Sequence, residues 1–213
     1  MKKFLITVML SGSVCSSQAA DAIKVGHEVK SAAGIEKIVA VTASGADSYW
    51  ISSFVRDGNC PENSGKCGND GITVRAPGGV ASISVEDASN TSGFFSQNKN
   101  PVAVVIVPSN KAGYAYASAE VFIFSADKKP VNVLKTAPVL LNNLEGAACE
   151  GKKLCADSKL TVVFLASAAN EYPDVQLRQS GTTVNASANG LEKLDRTFSF
   201  SFDAQSKRYI AKK

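Results

Sequence analysis

The sequence predicts an all-β chain, an antiparallel sandwich or open barrel ending in a C-terminal meander. Three observations carry this expectation. Apolar residues recur with period two along most of the chain, the spacing of half-buried strands rather than helices. Val102–Val107 is a continuous, largely β-branched run, the composition of a strand covered on both faces. Near the C-terminus Phe198, Phe200 and Phe202 alternate with Thr197, Ser199 and Ser201, which places three rings on one face of a strand and hydroxyls on the other.

The elements follow in chain order. Residues 1–19 read as a secretory signal peptide, with Lys2 and Lys3 ahead of an apolar run from Phe4 to Leu10, then small residues to Ala19 and Ala20. That run is too short to cross a bilayer, which takes ~20 residues. Cys15 follows Val14, where a lipid-attachment motif wants a small residue, so Cys15 is expected to leave with the signal. Residues 20–213 form a single β-dominated domain, with 90–101 as the place where two lobes would divide. The segment 21–34 is the candidate for one short N-terminal helix, with Gly34 as its stop. Residues 37–43 and 48–55 flank the turn Ser44-Gly45-Ala46-Asp47, and a second hairpin flanks Pro77-Gly78-Gly79. Further strands are expected over 118–126, 130–135 and 160–166. A two-residue turn at Ser180-Gly181 would pair Leu177 with Val184 and Val175 with Ala186. The aromatic strand then turns at Asp203–Ser206 and returns through Tyr209, completing a four-stranded meander.

Export sets the expectation for the cysteines. Cys60, Cys67, Cys149 and Cys155 are an even set in an oxidising compartment. Six residues separate the first pair and five the second, all in polar, Gly- and Lys-rich sequence. Such neighbours bond without moving a core element, so disulfides Cys60–Cys67 and Cys149–Cys155 are expected as clips on loops. Zinc spacing and the C-x-x-C redox pattern are both missing, and no metal or cofactor is expected.

The whole chain carries 23 basic and 19 acidic residues; without Lys2 and Lys3 the balance is 21 to 19, about +2. With no long Lys/Arg block, a nucleic-acid partner is not expected. No mature segment is apolar for long enough to span a membrane as a helix. The periplasm is the expected location, with release outside the cell as the further step.

Catalysis finds little material. His27 is the sole histidine, and neither a G-x-S-x-G elbow nor H-E-x-x-H occurs, so a nucleophile with a positioned base is not indicated. Glu86, Asp87, Glu171 and Asp174 are the carboxylates considered for glycosidase-type pairing. Binding has better candidates, because Tyr49, Trp50, Tyr114 and Tyr116 lie among small residues in sequence that suits an interface.

Two stretches resemble known proteins. "KNPVAVVIVPSNKAGYAYASAEVFIF" and "VQLRQSGTTVNASANGLEKLDRTFSFSFDAQSKRYIAKK" are similar to a loose group of Gram-negative periplasmic β-rich proteins, in which a V-V-I-V strand leads to a closing aromatic hairpin. The likeness covers about the C-terminal half and implies no catalytic residues. The chain also resembles secreted inhibitors and immunity proteins in its small, clipped, β-rich style. "SGADSY" is similar to the S-G-x-x-Y loop of lysozyme inhibitors, with one residue more before Tyr49. That implies a protein partner in the envelope, such as a cell-wall hydrolase or toxin. A structural or assembly subunit of the envelope or of a surface appendage is the second expectation, since antiparallel domains can pair through edge strands.

Overall fold

The computed structural model describes residues 24–31, 34–56, 70–167 and 170–212. The expected signal peptide and the Cys60–Cys67 pair lie outside these residues. Three antiparallel sheets follow one another along the chain. The first joins β1 (Glu28–Ser31), β2 (Gly34–Ser44), β3 (Asp47–Arg56), β4 (Gly71–Ala76) and β5 (Gly79–Ser84) in sequence order. The second contains β6 (Ser92–Phe95), β7 (Ala103–Lys111), β8 (Tyr114–Phe124), β9 (Pro130–Lys135) and β10 (Val139–Asn142). Its order is β10-β8-β7-β6, with β9 also paired to β8. A short helix, α1 (Ala147–Lys152), leads to the third sheet, a meander of β11 (Ser158–Leu165), β12 (Asp174–Val184), β13 (Leu191–Asp203) and β14 (Arg208–Ala211). The fold is all-β, and among the described residues no sheet closes into a barrel.

The second sheet is the middle layer, and the apolar run at its centre explains why. Ala103 and Val105 pack with Ile51, Ile72 and Val74 of the first sheet. Val102, Val104 and Ile106 pack with Val175, Leu177 and Phe202 of the third. Alternation sends odd and even residues to opposite faces, so a strand between two cores must be apolar at every position. The rest of β8 follows the same logic, with Ala119 and Val121 toward the third sheet and Phe122 toward the first. Residues 90–101 contain β6, which lies against the first sheet: a Cβ added at Gly93 would come within 2.8 Å of Ile51 Cδ1.

The outer sheets are half-buried, and both show alternation. In β4 Ile72, Val74 and Ala76 are buried while their neighbours are partly exposed. A bulge in β2 between Ile38 and Ala40 resets its parity, so that Ala40 and Thr42 pair with Ile51 and Tyr49. In β13 Phe202 is buried and Phe198 and Phe200 are partly covered against the same core, so the expected aromatic face is present. Phe202 stands between two tyrosines, with ring centroids 4.7 Å from Tyr172 and 5.6 Å from Tyr209. The Tyr209 hydroxyl donates to Pro173 O at 2.7 Å.

Two expectations are corrected. The segment expected to be an N-terminal helix contains β1, whose residues pair with Gly34–Lys37. A short isolated helix is marginal in water, whereas this segment completes its backbone bonds on the edge of β2. The Ser180-Gly181 turn does not form either. β12 runs straight through to Val184, pairing Leu177 with Phe198 and Val175 with Phe200, and the reversal comes at residues 185–190. Gly181 serves close approach instead: with φ +147, a Cβ there would lie 2.3 Å from Asp157 O. The meander has its four strands, with β11 as the first and the two segments expected on either side of Gly181 fused into one. Cys149 and Cys155 are bonded, clipping α1 to the following loop.

Phe202 is 6% exposed, so Phe202→Ala is expected to cost about 3–5 kcal/mol in urea unfolding. The half-covered Phe200 is expected to lose less on the same change, about 1–2 kcal/mol. Equal losses would contradict this placement of the two rings.

Candidate functional site

The hairpin tips of all three layers converge at one end of the stack and enclose a crevice of about 720 Å³. The first sheet supplies the β2–β3 tip, with Asp47 and Tyr49. The middle sheet supplies the end of β8 and the β8–β9 turn, with Ile123, Phe124 and Lys128, and also the 96–101 loop, with Lys99. The third sheet supplies Glu171 and Tyr172 before β12 and the β13–β14 turn with Lys207. The carbonyl of Lys99 accepts from Ser44 Oγ at 2.9 Å, which ties the 96–101 loop to the β2–β3 tip. Gly78 has no side chain to hold the β4–β5 turn away from the β8–β9 turn; a Cβ there would fall 1.8 Å from Asp127 O.

The β8–β9 turn is built from its own polar groups. Ser125 O accepts from Lys128 N at 2.7 Å and Ser125 N donates to Lys129 O at 3.0 Å. Lys129 Nζ and Ser125 Oγ hold the Asp127 carboxylate, and its pKa falls to about 2. Lys128, at φ +60, is thereby aimed at Asp47, 2.6 Å away. The hydrogen bond from Lys128 to Asp47 raises the pKa of Lys128. Both partners are partly exposed, so the pair is worth little in stability; its effect is to set where the two charges stand.

The floor is aromatic and already self-paired. Tyr49 and Phe124 lie 4.6 Å apart between ring centroids, tilted by 57°. Tyr172 meets Phe202 edge to face. Burial raises the pKa of Tyr49, with Asp47 adding to the rise and Lys128 opposing it. Burial, then the charge of Glu171, does the same to Tyr172. At neutral pH both phenols therefore stay protonated, as hydrogen-bond donors. Neither hydroxyl has a hydrogen-bond partner among the described residues, and neither is sealed from solvent. Lys99 and Lys207 likewise stand at the rim without an ion pair among those residues.

The four aromatics singled out in the sequence do not form one patch. Tyr49 is 4% exposed and forms part of the crevice. Trp50, next along β3, points to the opposite face, paired with Val41 and Arg75 on the outside of the first sheet. Tyr114 and Tyr116 lie eight or more residues along β8 from Phe124, roughly 26 Å away at strand rise. There Tyr114 packs beside Gly146, close to the disulfide clip. Tyr172, Lys99, Lys128 and Lys207 were not anticipated. Their contributing segments are far apart in sequence, and only the stacking of layers brings them together.

The other candidates have separate placements. The His27 carbonyl accepts from Ile38 N, which leaves His27 six residues along β2 from Ser44, roughly 20 Å from the crevice. Asp87 accepts from Ser89 N at 2.8 Å. Glu86 lines a smaller hollow with Arg56 and Asp70. Glu171 stands at the crevice rim and Asp174 is locked into the third sheet. Among the described residues no three His, Cys, Asp or Glu side chains gather as a metal site, and no helix is long and apolar enough to cross a membrane.

Asp174 fixes the wall that carries Lys207. Its carboxylate accepts from Ser201 Oγ at 2.7 Å and from Lys212 Nζ at 2.5 Å, which pins β14 to β12 across β13. Burial alone would raise its pKa, but the hydrogen bonds from Lys212 and Ser201 outweigh that and lower it. No protein-family model, curated protein or solved structure matches the chain.

A carboxyl whose folded pKa is depressed stabilises the fold above its unfolded pKa, ~3.9, and loses that contribution as pH falls through the folded value. Asp174→Asn is therefore expected to cost about 1–2 kcal/mol near pH 7, and clearly less near pH 3, in paired urea titrations. A cost unchanged between the two pH values would contradict the lock.

Proposed function

We propose that the protein is an exported binding module of the bacterial periplasm, acting on a protein partner by surface complementarity and without turnover. The partner class is a cell-wall hydrolase or toxin, for which the chain serves as inhibitor or immunity protein. The observation that carries this reading is the crevice: an aromatic floor, two donor phenols and two lysines without ion pairs among the described residues, drawn from three layers. Such a concave site with a few convergent polar groups is suited to recognition. Its two carboxylates, Asp47 and Glu171, have no imidazole beside them to form a nucleophile–base set, since His27 is the sole histidine and lies beside Ile38, six residues along β2 from Ser44. The N-terminal signal pattern and the Cys149–Cys155 bond support an oxidising, exported setting.

A second reading rests on the edges of the first sheet. All four residues of β1 are exposed, Val29 at 52%, so a further strand can add there, as in an envelope or appendage subunit. The crevice favours the first reading.

Mixed with purified cell-wall hydrolases, the protein is expected to form a one-to-one complex in size-exclusion chromatography with light scattering and to slow their turnover of peptidoglycan. If the protein itself cleaves the glycan or stem peptide, and Glu171→Gln abolishes that activity, the non-catalytic reading is overturned.

A further inference from the structure

We propose that the crevice at the hairpin tips binds a short acidic peptide segment of the partner, an apolar side chain flanked by carboxylates. This rests on the binding-module reading and names what the site recognises. The first support is charge. Lys99 and Lys207 line the rim, come from different layers and carry no ion pair among the described residues, while Lys128 is already held by Asp47; with Glu171 also at the rim, the lining carries three lysines against two carboxylates. A ligand that places carboxylates between the free lysines completes them by charge-assisted hydrogen bonds.

The second support is independent of the lysines. Tyr49 and Tyr172 are 4% and 8% exposed, yet their hydroxyls have no hydrogen-bond partner among the described residues. Neither hydroxyl is sealed from solvent, so a bound acceptor takes the place of water there. Two phenols on the walls of one crevice, protonated at neutral pH, are donors to which a ligand can offer an acceptor. A carboxylate or a peptide carbonyl supplies it.

The aromatic floor separates a peptide from a sugar. A saccharide platform presents a flat ring face to the ligand. Here Tyr49 is engaged with Phe124, and Tyr172 with Phe202, in tilted or edge-on pairs. What remains is an apolar surface that includes Ile123 and Val131, suited to an aliphatic or aromatic side chain. At about 720 Å³ the crevice lies within the usual range for small ligands, so a few residues of extended chain occupy it.

The test uses the purified protein and a fluorescein-labelled hexapeptide alternating phenylalanine with aspartate, its asparagine counterpart, and an oligomer of N-acetylglucosamine. By fluorescence anisotropy the aspartate peptide is expected to bind at least about tenfold more tightly than the asparagine peptide, and to weaken as salt screens the lysines. The double change Lys99→Gln and Lys207→Gln is expected to remove most of that preference. Tyr49→Phe and Tyr172→Phe are each expected to weaken binding about three- to tenfold at unchanged melting temperature. Equal affinity for the two peptides, binding of the sugar oligomer alone, or an aspartate preference that survives the lysine and tyrosine changes would each overturn the proposal. If the peptide fails to bind while the protein still forms a complex with a hydrolase, this inference falls and the binding-module reading stands. If neither forms, both fall.

Discussion

The structure depends on a strand segment, residues 102–106, that water reaches on neither face. In β7 and the residue before it, Val102, Val104 and Ile106 serve one core while Ala103 and Val105 serve the other. Burying a side chain such as valine is worth on the order of 1.5–3 kcal/mol, and here consecutive residues contribute to different interfaces. A polar change at either parity therefore removes support from one whole layer. Glu120, 4% exposed in the adjacent strand, shows what a charge needs there: Asn132 at 2.6 Å and Lys135 at 2.9 Å both bind its carboxylate. Without such partners a buried carboxylate is strongly unfavourable.

The crevice is a consequence of that layering. Each outer sheet must lie over the middle one, so the turns of all three finish at common ends of the stack. At one end the 96–101 loop, the β2–β3 tip, the β8–β9 turn and the β13–β14 turn leave a space lined by core aromatics and closed by turn lysines. Its polar groups sit on short, hydrogen-bonded turns rather than long loops: Ser125 organises one, and Asp203 another through Ser206 N at 2.9 Å. The Asp174–Lys212 pair and the Tyr209–Pro173 bond hold the third-sheet wall in register. Rigid placement lowers the ordering cost of binding, which is why a site of this kind suits recognition.

Much of the fold was readable in the residues themselves because period-two patterning reports which face is covered. The fully apolar 102–107 run foretold a strand buried on both sides, and the turns at Gly45 and at Pro77-Gly78 foretold their hairpins. Local turn chemistry misled at Ser180-Gly181, where the glycine answers to the close carbonyl of Asp157 on a neighbouring strand. Sequence around residue 181 carries no trace of that neighbour. The N-terminal segment misled for a related reason: β1 gains its structure from pairing with β2, not from its own propensity. The site was far less readable. Of the four aromatics chosen, Tyr49 alone reaches the crevice, because alternation turns Trp50 outward and the length of β8 carries Tyr114 and Tyr116 away. The lysines and Tyr172 are ordinary in sequence and become a site through long-range stacking.

Native-state amide hydrogen exchange tests the central claim most directly, because it reads each strand's opening energy separately. With the middle sheet enclosed by both outer layers, the amides of Val104, Ile106, Ala119 and Val121 should be the slowest, exchanging near the global unfolding limit, with those of β1 and β5 far faster. If the β7 and β8 amides exchange as readily as the edge strands, or if the third sheet stays protected after the middle one has opened, the account of a common, doubly buried core is contradicted.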